Sequence, residues 1–167
     1  QSELLGKLSS YKKKAPCYKQ GVQLVEDCLS FNSDQLSPWL VSALGKTCEY
    51  LGIPFQHTLF SRSSIDATKV EHAGQWALEI ADSMGADTYI NPPGGCSIFR
   101  ESEFLDRGIA LNFLKPKLSA YDQGRDEFVP GLSILDVIMW NEPDRIRHML
   151  GEFDLLSSAQ LQGESGV

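Results

Sequence analysis

A short apolar segment that ends in a rigid loop is the feature that most constrains the fold of this chain. Thr88-Tyr89-Ile90 consists of strand-forming residues, and Asn91-Pro92-Pro93-Gly94-Gly95 follows it directly. β-Branched and aromatic side chains favour a strand, whereas proline lacks the backbone N–H that a sheet ladder needs. The pattern therefore predicts a strand whose carboxyl end opens into a stiff loop.

Helical patterns lie on both sides of this strand. Residues 1–31 predict two helical pieces that are broken near Ala15-Pro16. A helix is predicted from the Ser37-Pro38 pair to Gly52, because serine and proline favour a helix start and glycine favours its end. Another is predicted over residues 66–84. A last one starts at Ser133, where Ser133-Ile134-Leu135-Asp136 resembles a capping box.

The order of the elements indicates the fold class. Further strands are predicted at Ile53–Phe60 and Ile109–Leu114, so helices and strands alternate along the chain. Alternation of this kind predicts a helix-rich α/β fold with a mainly parallel, Rossmann-like sheet. The length of 167 residues fits one domain. We expect that domain over residues 1–156, as part of a longer one, and a flexible tail over residues 157–167.

Charge and cysteine spacing argue against several classes of protein. The net charge of −7 opposes nucleic-acid binding, because phosphate neutralisation needs an excess of Lys and Arg. No apolar run approaches the roughly 18 residues that span a bilayer. The cysteines lack the paired spacing of zinc ligands, so no metal is expected. Free thiols without a signal-like segment predict a cytoplasmic location. The four cysteines are Cys17, Cys28, Cys48 and Cys96.

Three predicted loops carry the residue types that bind anions. In open parallel sheets ligands bind beyond the carboxyl ends of the strands, and here these ends are followed by Ser61–Ser64, Asn91–Ser97 and Lys115–Lys117. Their cations, hydroxyls and backbone N–H groups predict a cradle for a phosphate or carboxylate. The alternative is that these are ordinary polar loops shaped by proline and glycine. The glycine pair has neither a dinucleotide-binding nor a P-loop spacing.

Several motifs resemble the WbqC-like protein family. Tyr89-Ile90-Asn91-Pro92 with Gly94-Gly95 is similar to one family block, and Tyr121-Asp122-Gln123 is similar to its Y-x-Q motif. Phe128-Val129-Pro130 with Leu132-Ser133-Ile134-Leu135-Asp136 is similar to F-x-P-x-L-S-I-x-D, the most distinctive part. The resemblance covers residues 15–156. Phe99 stands where the family has tyrosine, and the family's N-terminal Q-P-x-x-x-P-x-x-G-Y segment is not found.

The resemblance implies a role in bacterial surface-polysaccharide (O-antigen) biosynthesis or amino-sugar modification. It implies transfer of an acyl or aminoacyl group to a sugar amine, with a small anionic or nucleotide-linked sugar as the ligand. No residue stands out as the general base, and neither a cofactor nor an oligomeric state is indicated. The expected ligand-binding residues are Arg62, Ser63, Asn91, Gly94, Gly95, Lys115, Tyr121 and Gln123.

Two functional hypotheses follow. A transferase requires these residues to converge in one pocket. A non-catalytic binding or scaffold module requires only that the loops shape turns, and its functional surface is an exposed apolar patch around Trp140.

Overall fold

The chain folds into two compact units, each built from two separate stretches of sequence. Unit 1 comprises Gln1–His57 and Leu118–Glu152, and unit 2 comprises Thr58–Lys117 and Phe153–Val167. The computed structural model describes residues 2–66, 68 and 70–164. The single domain that the sequence predicts over residues 1–156 stays a prediction.

Over the described residues the secondary structure is rich in helix, with 52% of them helical and a small sheet. This confirms a mixed, helix-rich α/β fold. The α-helices in chain order are α1 (Ser2–Leu8), α2 (Tyr18–Ser30), α3 (Leu36–Leu51), α4 (Gln75–Ser83), α5 (Glu101–Asp106), α6 (Ile134–Trp140), α7 (Pro143–Leu150) and α8 (Ser158–Glu164). The strands are β1 (Thr88–Asn91), β2 (Ala110–Pro116) and β3 (Phe153–Leu156). Short 3-10 helices lie at Ser9–Tyr11, Phe60–Arg62 and Pro93–Ile98.

Unit 1 is a helical assembly organised around α2. Val25 packs in one core cluster with Met139 of α6, while its neighbour Leu24 packs in another with Leu51 of α3 and Ile138 of α6. Gly21 permits a close approach of α2 to α6, since a Cβ there would lie 2.8 Å from the Met139 sulfur. Each fully buried apolar side chain of this kind contributes about 1.5–3 kcal/mol.

Unit 2 is built on a mixed three-stranded sheet in the order β1-β2-β3. β1 pairs parallel to β2 with Thr88 opposite Ala110, and β2 pairs antiparallel to β3. The fully buried Phe104 and Phe113 form the centre of its core, and Tyr89 and Phe99 pack against them with ring centroids 5.7 to 6.1 Å apart. Phe99 thus has a packing role.

The sheet differs from the predicted one in two ways. The strand predicted over Ile53–Phe60 does not form, because Phe55 packs against Gly45 of α3 and stacks on His57 at 5.0 Å. The strand β3 was not predicted, and its antiparallel pairing makes the sheet mixed. A mainly parallel, Rossmann-like sheet is therefore not confirmed, whereas β1 and β2 form close to their predicted positions.

Helix ends follow the predicted signals unevenly. Two helical pieces before residue 31 are confirmed, and α3 ends at Gly52, whose φ of +66° is the left-handed conformation that favours glycine. α3 starts at Leu36, so the Ser37-Pro38 pair lies inside its first turn.

The helix predicted over residues 66–84 is formed only from Gln75 to Ser83. α8 lies at residues 158–164, within the predicted flexible tail, and the flexibility of that tail stays a prediction. Residues 67 and 69 of that helix and 165–167 of the tail lie outside the described residues, as does the chain start at Gln1. Within the described part of the chain, no helix is long and apolar enough to cross a membrane.

Candidate functional site

The parallel pairing of β1 and β2 brings two of the predicted loops to one edge of the sheet. Asn91, the last residue of β1, lies opposite Phe113, and Lys115 lies two residues further along β2. Two residues of a strand span about 6.6 Å. Asn91 and Lys115 therefore lie at the same end of the sheet, where the carboxyl ends of β1 and β2 meet, as the sequence predicts for neighbouring parallel strands.

The Asn91 side chain holds its own loop in shape. Its Oδ1 accepts a hydrogen bond from the Tyr89 hydroxyl at 3.1 Å, and its Nδ2 donates to the Pro92 carbonyl at 3.0 Å. A Cβ on Gly95 would lie 2.3 Å from that Nδ2, so a side chain there would displace the Asn91 amide from this position. The Gly95 N–H already donates to the Pro92 carbonyl at 3.2 Å, whereas Gly94 has open space around it.

The positive charge at this edge is partly balanced. Lys115 lies opposite Asp154 of β3 in the sheet register, and Lys117 Nζ lies 2.8 Å from the Asp154 carboxylate. The antiparallel strand that the sequence did not predict thus supplies a carboxylate beside the predicted cationic rim. An anion at this edge competes with Asp154.

Arg62 and Ser63 belong to unit 2 but do not follow a strand. Arg62 ends the 3-10 helix Phe60–Arg62, and the Ser63 hydroxyl donates to the Phe60 carbonyl at 2.7 Å. Arg62 is exposed and forms no ion pair with any residue that the structure describes. It is therefore a cation available to an anionic ligand.

Tyr121 and Gln123 lie in unit 1, where they shape a different loop. The buried Gln123 side chain donates to the Val129 carbonyl and accepts from the Val129 N–H, both at 2.9 Å. The Tyr121 ring meets Phe128 edge-on with centroids 5.4 Å apart. Convergence of these two residues with the six in unit 2 stays a prediction.

Next to this loop lies a buried carboxylate. Asp136 of α6 is only 3% exposed, and its two oxygens accept hydrogen bonds from the hydroxyls of Tyr11 and Tyr121, each at 3.4 Å. Burial raises the pKa of the Asp136 carboxyl above its ordinary value, although Arg125, the two tyrosines and Trp140 act to lower it. Both bonds are longer than usual for O–H···O. They therefore compensate only weakly for the hydration that the carboxylate loses on burial.

Trp140 packs next to Tyr11, one of the two tyrosines that contact Asp136. Its ring stands edge-on to Tyr11 at 6.3 Å, and a Cβ on Gly124 would lie 2.4 Å from it. Its indole Nε1 is buried near the carboxylate without a hydrogen bond of ordinary geometry to any described residue. We call Tyr11, Tyr121, Asp136 and Trp140 the Asp136 cluster.

Sequence reasoning missed the Asp136 cluster because it assigned Asp136 to a capping box. The Ser133 half of that prediction is confirmed, since its Oγ accepts from the Leu135 N–H at 3.3 Å. The Asp136 side chain instead turns towards the tyrosines. The available signal was one carboxylate on the core-facing side of an otherwise apolar helix, four residues before Trp140.

The most distinctive motifs of the sequence thus fold into one region of unit 1. Their residues in this region are Tyr121, Gln123, Phe128, Val129, Ser133 and Asp136. The model of the WbqC-like protein family matches residues 1–148. The chain belongs to this family. No curated protein and no solved structure matches it.

The thiols of this WbqC-like chain differ in their surroundings. Cys17 is 1% exposed and donates to the Glu142 carboxylate at 3.4 Å, and burial, followed by Glu142, raises its pKa to about 11. It is therefore a neutral thiol at neutral pH and a poor nucleophile. Cys28, Cys48 and Cys96 are half-buried. Among the described residues no group of three or more His, Cys, Asp and Glu side chains is arranged to hold a metal.

Proposed function

We propose that this WbqC-like chain is a transferase of bacterial polysaccharide or amino-sugar modification that moves an acyl or aminoacyl group to a sugar amine. In such a reaction the amine nitrogen forms a bond to the carbonyl carbon, and the bond from that carbon to the donor's leaving group breaks. The amine must lose a proton, and the carbonyl oxygen carries negative charge in between. A general base and hydrogen-bond donors are therefore needed.

The observation that carries the proposal is the Asp136 carboxylate. A carboxylate works best as a base when its pKa is raised towards the working pH, and burial raises the pKa of Asp136. The bonds from Tyr11 and Tyr121 are long, so a substrate amine that reaches this buried carboxylate displaces only one weakly held hydroxyl. The displaced hydroxyl is then a donor for the oxyanion.

The ligand is a small anionic or nucleotide-linked sugar. Taken by itself, unit 2 offers groups of the types that bind an anion, namely Arg62, Ser63, Asn91, Gly94, Gly95 and Lys115. Arg62 is the best candidate for binding the anion, because it is exposed and forms no ion pair among the described residues. Gly95 contributes by leaving room for the Asn91 side chain.

The test is an N-acylation assay on the full chain, with nucleotide-linked amino sugars as acceptors and acyl- or aminoacyl-carriers as donors, read by mass spectrometry. Asp136→Asn is expected to lower kcat about 10²- to 10⁴-fold, the usual contribution of a general base. The rate should fall as pH drops below the Asp136 pKa, because only the ionised carboxylate accepts a proton.

Asp126→Asn is the matched control, because Asp126 is an exposed carboxylate of the same region. It should leave kcat unchanged. A wild-type rate in Asp136→Asn refutes Asp136 as the base. Tight binding of a sugar nucleotide without any turnover would favour the binding module over the transferase.

A further inference from the structure

Unit 2 presents a pair of exposed aromatic rings and a nearby cation in sequence, Arg62, that forms no ion pair with the residues that the structure describes. Phe60 and Trp76 meet edge-on with centroids 5.5 Å apart at 80°, and they remain 39% and 46% exposed. Leaving this much aromatic surface in water forgoes hydrophobic stabilisation. Aromatic side chains that remain exposed in this way are typical of binding surfaces.

The segments that carry the two rings are anchored. Gly74, just before α4, packs so closely that a Cβ would lie 2.2 Å from the Ile98 carbonyl oxygen. The Phe60 carbonyl accepts from both the Ser63 N–H at 2.9 Å and the Ser63 hydroxyl at 2.7 Å. The backbone next to both rings is thus held before any ligand arrives, which lowers the entropy cost of binding.

The cation is Arg62, in the same 3-10 helix as Phe60. Two residues of such a helix rise about 4 Å, so the backbone of Arg62 lies close to that of Phe60, from which its long side chain extends. Arg62 makes no ion pair within the described part of the chain, on a protein whose net charge is −7. A guanidinium binds phosphate oxygens in a bidentate manner.

We propose that Phe60, Trp76 and Arg62 form a binding site for a nucleoside phosphate. Because the two rings stand at 80° to one another, Trp76 stacks on the face of the flat base and Phe60 packs beside it, while Arg62 binds the phosphate. A bare phosphate would leave the rings unused, and a neutral sugar would leave the guanidinium unused. This inference rests on the proposed function in taking the nucleotide as the carrier of the sugar.

The experiment measures binding to the full chain by calorimetry, using UMP and AMP as nucleotides, the matching nucleosides, and inorganic phosphate. Trp76→Leu removes the stacking ring, and Arg62→Gln removes the charge. The control is Arg145→Gln, which changes an exposed arginine of α7 in unit 1. Circular dichroism verifies that every variant is folded.

The nucleotides should bind more tightly than either the nucleosides or phosphate alone. Each site variant should weaken nucleotide binding about 10-fold or more, as expected from losing a stacked base or a charge-assisted contact, and Arg145→Gln should not. Nucleotide binding that both site variants leave unchanged overturns the site, as does an affinity no better than that for phosphate. Absence of binding up to about 1 mM does so too.

The two proposals fail separately. If no transfer is detected while nucleotide binding depends on Trp76 and Arg62, the nucleotide site is supported and the transferase activity is refuted. If transfer depends on Asp136 but the nucleotides do not bind, the nucleotide site falls alone.

Discussion

The Asp136 carboxylate is 3% exposed and has two hydrogen bonds of 3.4 Å in place of water. Taking a charge out of water is costly unless its partners compensate fully. Here they compensate incompletely, and the pKa of the carboxyl is raised as a result. The native state therefore holds the Asp136 proton more tightly than the unfolded chain does.

The free energy of unfolding should therefore depend on pH through the titration of Asp136. Because the folded pKa is raised, the stabilisation from protonated Asp136 is fully present below the unfolded pKa and is lost as pH rises through the folded pKa. Asp136→Asn has no such proton, so its stability relative to the native protein should increase across that pH range, by about 1.4 kcal/mol for each pH unit that separates the unfolded pKa from the folded pKa. Urea unfolding at a series of pH values measures the difference.

The matching control is again Asp126→Asn, whose difference from the native protein should not depend on the Asp136 titration. A constant stability difference between Asp136→Asn and the native protein at all pH values would contradict a raised pKa. This measurement needs no substrate, so it tests the cluster independently of the assay.

Among the elements, α4 and the 3-10 helix Pro93–Ile98 illustrate how two short segments fix one another. Gly74 precedes α4, and a side chain there would meet the backbone carbonyl of Ile98 at 2.2 Å. A backbone atom cannot rotate away as a side chain can. The contact therefore constrains where α4 starts.

We expect Gly74→Ala to destabilise unit 2 by about 1–3 kcal/mol, the usual cost of overpacking. Gly94→Ala is the matched control, since Gly94 lies in the same 3-10 helix, has no positive φ, and has nothing within 4 Å of an added Cβ. It should change stability by less than about 0.5 kcal/mol. Thermal unfolding of both variants measures the difference. Equal unfolding midpoints for Gly74→Ala and Gly94→Ala would show that the structure accommodates a side chain at Gly74 without loss of stability.

For the whole molecule, the connectivity of the units matters most. The chain leaves unit 1 after His57, builds most of unit 2, returns to unit 1 at Leu118, and closes unit 2 with β3 and α8. β2 is the central strand and needs β3 on one side. Leu161 of α8 also packs against the aromatic core.

A chain ending at Glu152 should therefore lose structure in unit 2. Without β3 the edge of β2 is unpaired, and amide hydrogen-exchange protection should fall at residues 113–115, which pair with β3. A chain ending at Glu164 is the control, because it keeps β3 and α8, and protection in α2 serves as the internal reference. Unchanged protection in β2 after the longer truncation would show that β3 is dispensable.

Local signals determined the elements that depend on neighbouring residues. Gly52 ends α3 and Ser133 caps α6 because each acts on backbone groups within a few residues. Pro92 follows the end of β1 for the same reason. The family motifs were also readable, since a motif is a local pattern.

The tertiary structure alone decided the features that depend on distant partners. The segment Ile53–Phe60 has strand-forming residues, but a strand needs a neighbour with which to exchange hydrogen bonds, and Phe55 packs on α3 instead. The buried Asp136 accepts a hydrogen bond from Tyr11, 125 residues away in the sequence, and no local pattern reports that partner. Local patterns report what a backbone prefers, whereas burial and pairing are set by whichever distant residues the folded chain brings together.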